Sequence, residues 1–67
     1  MFGEKVKPNP ALVTYWVKLG DQWDQMGRVN EATRYYQKAL EMSQKVFGPT
    51  HQTTKALNAR IGGLSHL

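Results

Sequence analysis

The chain has no cysteine, only two histidines and no long apolar run among its 67 residues. Without cysteine it can hold no disulfide framework, zinc knuckle or thiol nucleophile. His51 and His66 are far apart, with no carboxylate at metal-ligand spacing. Each reads as a surface residue, and His51 as a local cap or hydrogen-bonding group. The Gly62–Gly63 pair follows a helical pattern rather than a strand, so it forms no phosphate-cradling loop. No segment approaches the roughly 20 apolar residues that cross a bilayer, and "MFGEKVKPNP" reads as neither a signal peptide nor a span. A chain this short builds one small domain, whose core rarely supplies more than about 3–5 kcal/mol, and it lacks room for an enclosed pocket. Asp21 and Asp24 could suggest acid–base work, but carboxylates on a helix exterior lack the burial that separates their pKa values. The inventory therefore argues against an enzyme, and no cofactor, metal or small-molecule substrate is expected.

Acidic residues are also few. Nine Lys and Arg against five Asp and Glu give a net charge of +4, which mildly favours acidic partners, nucleic acid or an anionic surface. The basic residues are spread from Lys5 to Arg60 with no run of five or six, a pattern of solubility more than of recognition.

The punctuation divides the chain. Pro8 and Pro10 exclude helix before about residue 9, so residues 1–9 are expected to form a flexible N-terminal segment and residues 10–67 the helical domain. Asn9 is a good N-cap, with Pro10 at the first helical position, where its missing N–H costs nothing. Gly27 supplies a left-handed stop. Asn30 is placed to cap a second helix, Glu31 suits that helix's positive end, and Gly48–Pro49 ends it. Helices are expected at about 10–26, 30–47 and 51–64. The short first connection forces an antiparallel hairpin, and Gly62 and Gly63 fray the third helix.

Leu12, Trp16, Leu19, Trp23 and Met26 repeat at spacings of 4, 3, 4 and 3, a stripe facing a partner helix. Ala32, Tyr36, Ala39, Ser43 and Val46 repeat the pattern on the second helix. Large residues thus face small ones, and Ala32 and Ala39 let the indoles of Trp16 and Trp23 nest between the helices. Gly20 costs about 1 kcal/mol in a helix relative to Ala, and the expected return is close approach by the ring of Tyr36. Leu57, Ile61 and Leu64 give the third helix a covering face.

"WVKLGDQW" followed by Gly27 and then "ATRYYQKAL" resembles a tetratricopeptide repeat, whose signature is W-x2-L-G-x2-Y, then A-x3-F, then P. Trp16, Leu19 and Gly20 match, Trp23 replaces the Tyr, Ala32 matches the small residue and Tyr36 stands for the Phe. Ala39 fits the further small position usual in the family. Gln44 stands where the Pro is expected, and the helix runs on. That departure is similar to the longer repeat of kinesin light chains, with "VFGPTH" as its turn. Ile61 and Gly62 then correspond to Leu19 and Gly20, 42 residues on, and Phe2–Gly3 to an earlier turn. The resemblance implies an all-α fold: one antiparallel hairpin repeat plus a C-terminal helix, a piece of an α-solenoid.

It also implies that the first helix lines a concave groove for a peptide, through Thr14, Val17, Lys18, Asp21, Asp24 and Gln25. Family members that clamp a terminal carboxylate place Lys where Val17 stands and Asn where Asp21 stands, so this chain is not expected to be such a clamp. Two Asp favour a cationic or mixed partner segment; the alternative for both is a solvated helix face. A second class of function is a basic helical nucleic-acid binder using Arg28, Arg34, Lys38, Lys45 and Arg60, disfavoured because the aromatics are spent on the repeat pattern. Glu41 is spaced to pair with Lys38 and Lys45. Stacked repeats normally need about three units to be stable, so either the chain is a piece of a longer repeat protein or it completes its core by homo-oligomerisation, for which Val13, Val17, Tyr35, Met42 and Phe47 are the expected contacts; the compartment expected is the cytoplasm.

Overall fold

The computed structural model describes residues 9–64, Leu64 by its backbone alone. The expected flexible segment 1–9 therefore lies outside the described residues except for Asn9, as do Phe2–Gly3 and His66. Three helices follow in order: α1 (Pro10–Gln25), α2 (Val29–Val46) and α3 (Gln52–Leu64). α2 is the middle layer and packs against both neighbours.

Each boundary has a local cause. The Asn9 side-chain oxygen accepts from the Ala11 N–H at 2.9 Å, with Pro10 next in the helix, which satisfies a donor that the first turn leaves without a partner. α1 ends at Gly27, whose φ of 79° lies in the left-handed region. The Arg28 N–H then reaches the Trp23 carbonyl at 2.9 Å and the Gly27 N–H reaches Asp24 at 3.0 Å, the paired bonds of a Schellman ending. α2 starts at Val29 rather than Asn30 and has no side-chain cap. The turn is so tight that Arg28 closes one helix with its N–H and opens the next with its carbonyl, which accepts from Ala32 at 3.0 Å. Gly48, with φ 101°, also lies in the left-handed region, and its N–H reaches the Ser43 carbonyl at 3.1 Å, while Pro49 next to it has no N–H to continue the helix. His51 Nδ1 accepts from the Thr53 N–H at 3.1 Å at the start of α3, and its ring stacks on Phe47. Gly62 and Gly63 lie inside α3.

The core is Val13, Ala32, Tyr36, Ala39, Met42 and Leu57, with Leu12, Trp16, Val17, Trp23, Leu40, Val46 and Ile61 packed around it. Ala32 and Ala39 are fully buried and both indoles lie against this cluster, as the large-on-small pattern predicts. Gly20 is buried under Tyr36: a Cβ there would come within 2.6 Å of the ring. The inward arc of α1 is nevertheless rotated from the expected stripe. Val13 is buried and Val17 half-buried, whereas Met26 is 62% exposed. The stripe is a 3.5-residue repeat on a 3.6-residue helix, so its end drifts off the contact line. Met42 is also core, its sulfur 3.3 Å from the Asn9 N–H. Val13 and Met42 are thus removed from the apolar residues expected to be free for another chain.

α3 docks through Leu57 and a polar pair. The Ser43 and Thr54 hydroxyls, both fully buried, lie 2.6 Å apart, and Thr54 donates to the Gly48 carbonyl at 2.8 Å. The chain of bonds leaves neither hydroxyl unsatisfied.

Candidate functional site

Asp21, Tyr36 and Arg60 come from three different helices and meet at one carboxylate oxygen. The Tyr36 hydroxyl and the Arg60 guanidinium both donate to Asp21 Oδ1. Arg60 also lies 3.4 Å from the Tyr36 oxygen, with its guanidinium carbon 5.6 Å from the ring centroid. Helix geometry positions the group. Tyr36 crosses α1 at Gly20, the one place where a ring can lie against its backbone, and that directs the hydroxyl to the next residue, Asp21. Burial, then the Asp21 hydrogen bond, raise the Tyr36 pKa above its ordinary value, and Arg60 opposes them in part. Burial works against the Arg60 charge, but the bonds and fields of Tyr36 and Asp21 outweigh it and hold its pKa above the usual arginine value. Arg60–Asp21 is the one ion pair among the described residues; Glu41 pairs with neither Lys38 nor Lys45.

The six expected groove residues differ in their surroundings. Thr14, Lys18, Asp24 and Gln25 are exposed, while Val17 packs against the core and Asp21 is half-buried in the cluster. Thr14, Val17, Lys18, Asp21 and Gln25 share one side of α1 by their spacing, and Arg60 reaches that side from α3. The sequence pattern alone leaves Arg60 outside the groove and gives Tyr36 only a packing role. The available signal was the Tyr standing where the repeat pattern has Phe, since a buried phenol needs a partner for its hydroxyl.

On the opposite side of α2, Arg34, Lys38 and Lys45 are exposed, and the Lys38 ammonium lies 5.9 Å from the Trp16 ring centroid. Among the described residues no group of three side chains could hold a metal, and no helix is long and apolar enough to cross a membrane.

Comparison with protein families places a tetratricopeptide repeat model on residues 19–53, from Leu19 in mid-α1 through all of α2 to the start of α3. The chain belongs to the tetratricopeptide repeat family. The three helices are accordingly one repeat and the opening of another, and tetratricopeptide repeats are in general protein–protein interaction modules, typically non-catalytic. Neither the curated proteins nor the solved structures give a match to the chain.

Proposed function

We propose that this tetratricopeptide repeat binds an extended peptide of mixed charge along the side of α1 that faces Arg60, and that the chain self-associates. Thr14, Val17, Lys18, Asp21, Asp24 and Gln25 form the α1 wall, and Arg60 stands on the α3 wall. The reading rests on the Asp21–Arg60 bridge, which shows that α1 and α3 flank a common side of α2. Lys18 and Arg60 balance Asp21 and Asp24, so neither a strongly basic nor a strongly acidic ligand is favoured over one carrying both signs.

A peptide library selected against the chain, followed by fluorescence anisotropy of the best binder, tests the groove. Asp21→Lys combined with Asp24→Lys should weaken that binder at least about tenfold, equivalent to about 1.4 kcal/mol. Arg34→Glu combined with Lys45→Glu, on the far side of α2, should leave it unchanged. Equal losses in both variants, or a loss only in the second, refute the assignment.

A further inference from the structure

We infer that two copies of this chain pair through the outer strip of α1, formed by Leu12, Tyr15, Leu19, Gln22 and Met26, around a two-fold axis. The inference rests on the self-association proposed above and names its surface.

The strip is apolar except for Gln22 and follows spacings of 3, 4, 3 and 4, the repeat of a helix–helix seam. Tyr15 is 56% and Met26 62% exposed. Aligning Leu19–Gly20 with Ile61–Gly62 puts Leu12, Tyr15 and Leu19 in register with Thr54, Leu57 and Ile61. In α3 those positions lie against α2, and Leu57 is 2% exposed. In α1 the same positions carry Leu12 and Leu19, both half-buried with Leu12 touching the core, and Tyr15, which is exposed. The position that docks most deeply in α3, Leu57, has its α1 counterpart, Tyr15, in the open.

The rest of the molecule identifies the occupant. The surface of α2 that accepts α3 is already covered within each copy, by Leu57 and the Ser43–Thr54 pair. Among the described residues the remaining exposed large apolar group is Phe47, stacked on His51. A second copy therefore offers one extended apolar strip, the same one, and a surface that meets itself does so about a two-fold axis. Charge agrees. α1 carries Lys18, Asp21 and Asp24, whereas the basic excess lies on α2 and α3, in Arg34, Lys38, Lys45, Lys55 and Arg60. Meeting through α1 keeps those like charges apart, and a two-fold axis perpendicular to α1 is favoured because it sets the two α1 dipoles antiparallel. A contact roughly 20 Å long between two helices lies at the small end of specific interfaces, so a micromolar dimer is expected.

Sedimentation equilibrium from about 10 µM to about 1 mM tests this. The unaltered chain should dimerise, and Tyr15→Glu combined with Met26→Glu should weaken dimerisation at least about tenfold at unchanged helical circular dichroism. Both side chains are exposed, so the fold tolerates the change. A spin label on Gln22→Cys, clean in a chain without cysteine, should report a short distance between copies, and one on Lys45→Cys a long one. Dimerisation that survives the double substitution, or a short distance at Lys45 alone, overturns the strip and leaves self-association standing. A monomer throughout the range overturns both.

Discussion

Adding one methyl group at Gly20 measures how closely α1 and α2 approach. The Cβ of Gly20→Ala would lie 2.6 and 2.7 Å from two carbons of the Tyr36 ring and 3.1 Å from a third. Ordinary carbon–carbon contact begins at about 3.5 Å, so the ring must retreat by roughly 0.9 Å. It has little room, being 2% exposed with its hydroxyl held by Asp21. Overpacking of this kind costs about 1–3 kcal/mol, while Ala in place of Gly returns about 1 kcal/mol of helix propensity. The net expectation is a loss of about 1 kcal/mol, or roughly 4–8 °C in Tm for a domain of this size. Gly62 supplies the internal control. It also lies within a helix, but nothing is within 4 Å of its Cβ position, so Gly62→Ala should stabilise by about 0.5 kcal/mol. Urea denaturation followed by circular dichroism gives both values. In a Tyr36→Leu background the penalty at Gly20 should shrink or reverse. If Gly20→Ala stabilises the unmodified chain as Gly62→Ala does, the packing argument is wrong.

Three other outcomes follow from the polar contacts. Tyr36→Phe should cost about 1 kcal/mol at pH 7; because the folded-state pKa of Tyr36 is raised, that contribution is complete below about pH 10 and lost as pH climbs through the raised value, so denaturation curves of the two proteins should converge in alkali. Thr54→Val leaves the fully buried Ser43 hydroxyl without its partner and should cost about 1–3 kcal/mol, with Ser43→Ala in the same chain recovering part of the loss; urea midpoints of the single and double variants check it. Arg60→Gln should change stability by less than about 1 kcal/mol, because both members of its ion pair are more than one-third exposed, and a urea titration showing a larger loss would mean that the bridge, not Leu57, secures α3.

The hairpin was legible because its determinants are local. Asn9–Pro10, Gly27 and Gly48 each act within a turn of their own position, and the alanines of α2 declare a close contact without reference to anything distant. Gly20 was legible for a different reason: a glycine that costs helix stability implies something pressed against it, and Tyr36 was the aromatic at the right spacing. The start of α2 was not. Asn30 has the chemistry of a cap, but the three-residue connection after α1 leaves no slack to use it, and the backbone of Arg28 takes over both roles. Periodicity also misplaced the ends of the α1 stripe, because a 3.5-residue repeat drifts around a 3.6-residue helix, and Met26 stands at the C-cap, past the last helical residue.

The candidate site was legible only in part, for a reason that a helical wheel cannot overcome. A wheel gives the direction of Asp21 from the axis of α1 but not which side chains arrive there from α2 and α3. Arg60 is 39 positions away, and its meeting with Asp21 depends on how α3 rests on α2, which Leu57 and the buried Ser43–Thr54 pair decide together. An outward carboxylate that looks like a ligand group is therefore also a strut. In the groove proposed above, a cationic ligand group seeking Asp21 would compete with Arg60 for the same oxygen, so the chemistry of that groove would depend on how α3 is seated.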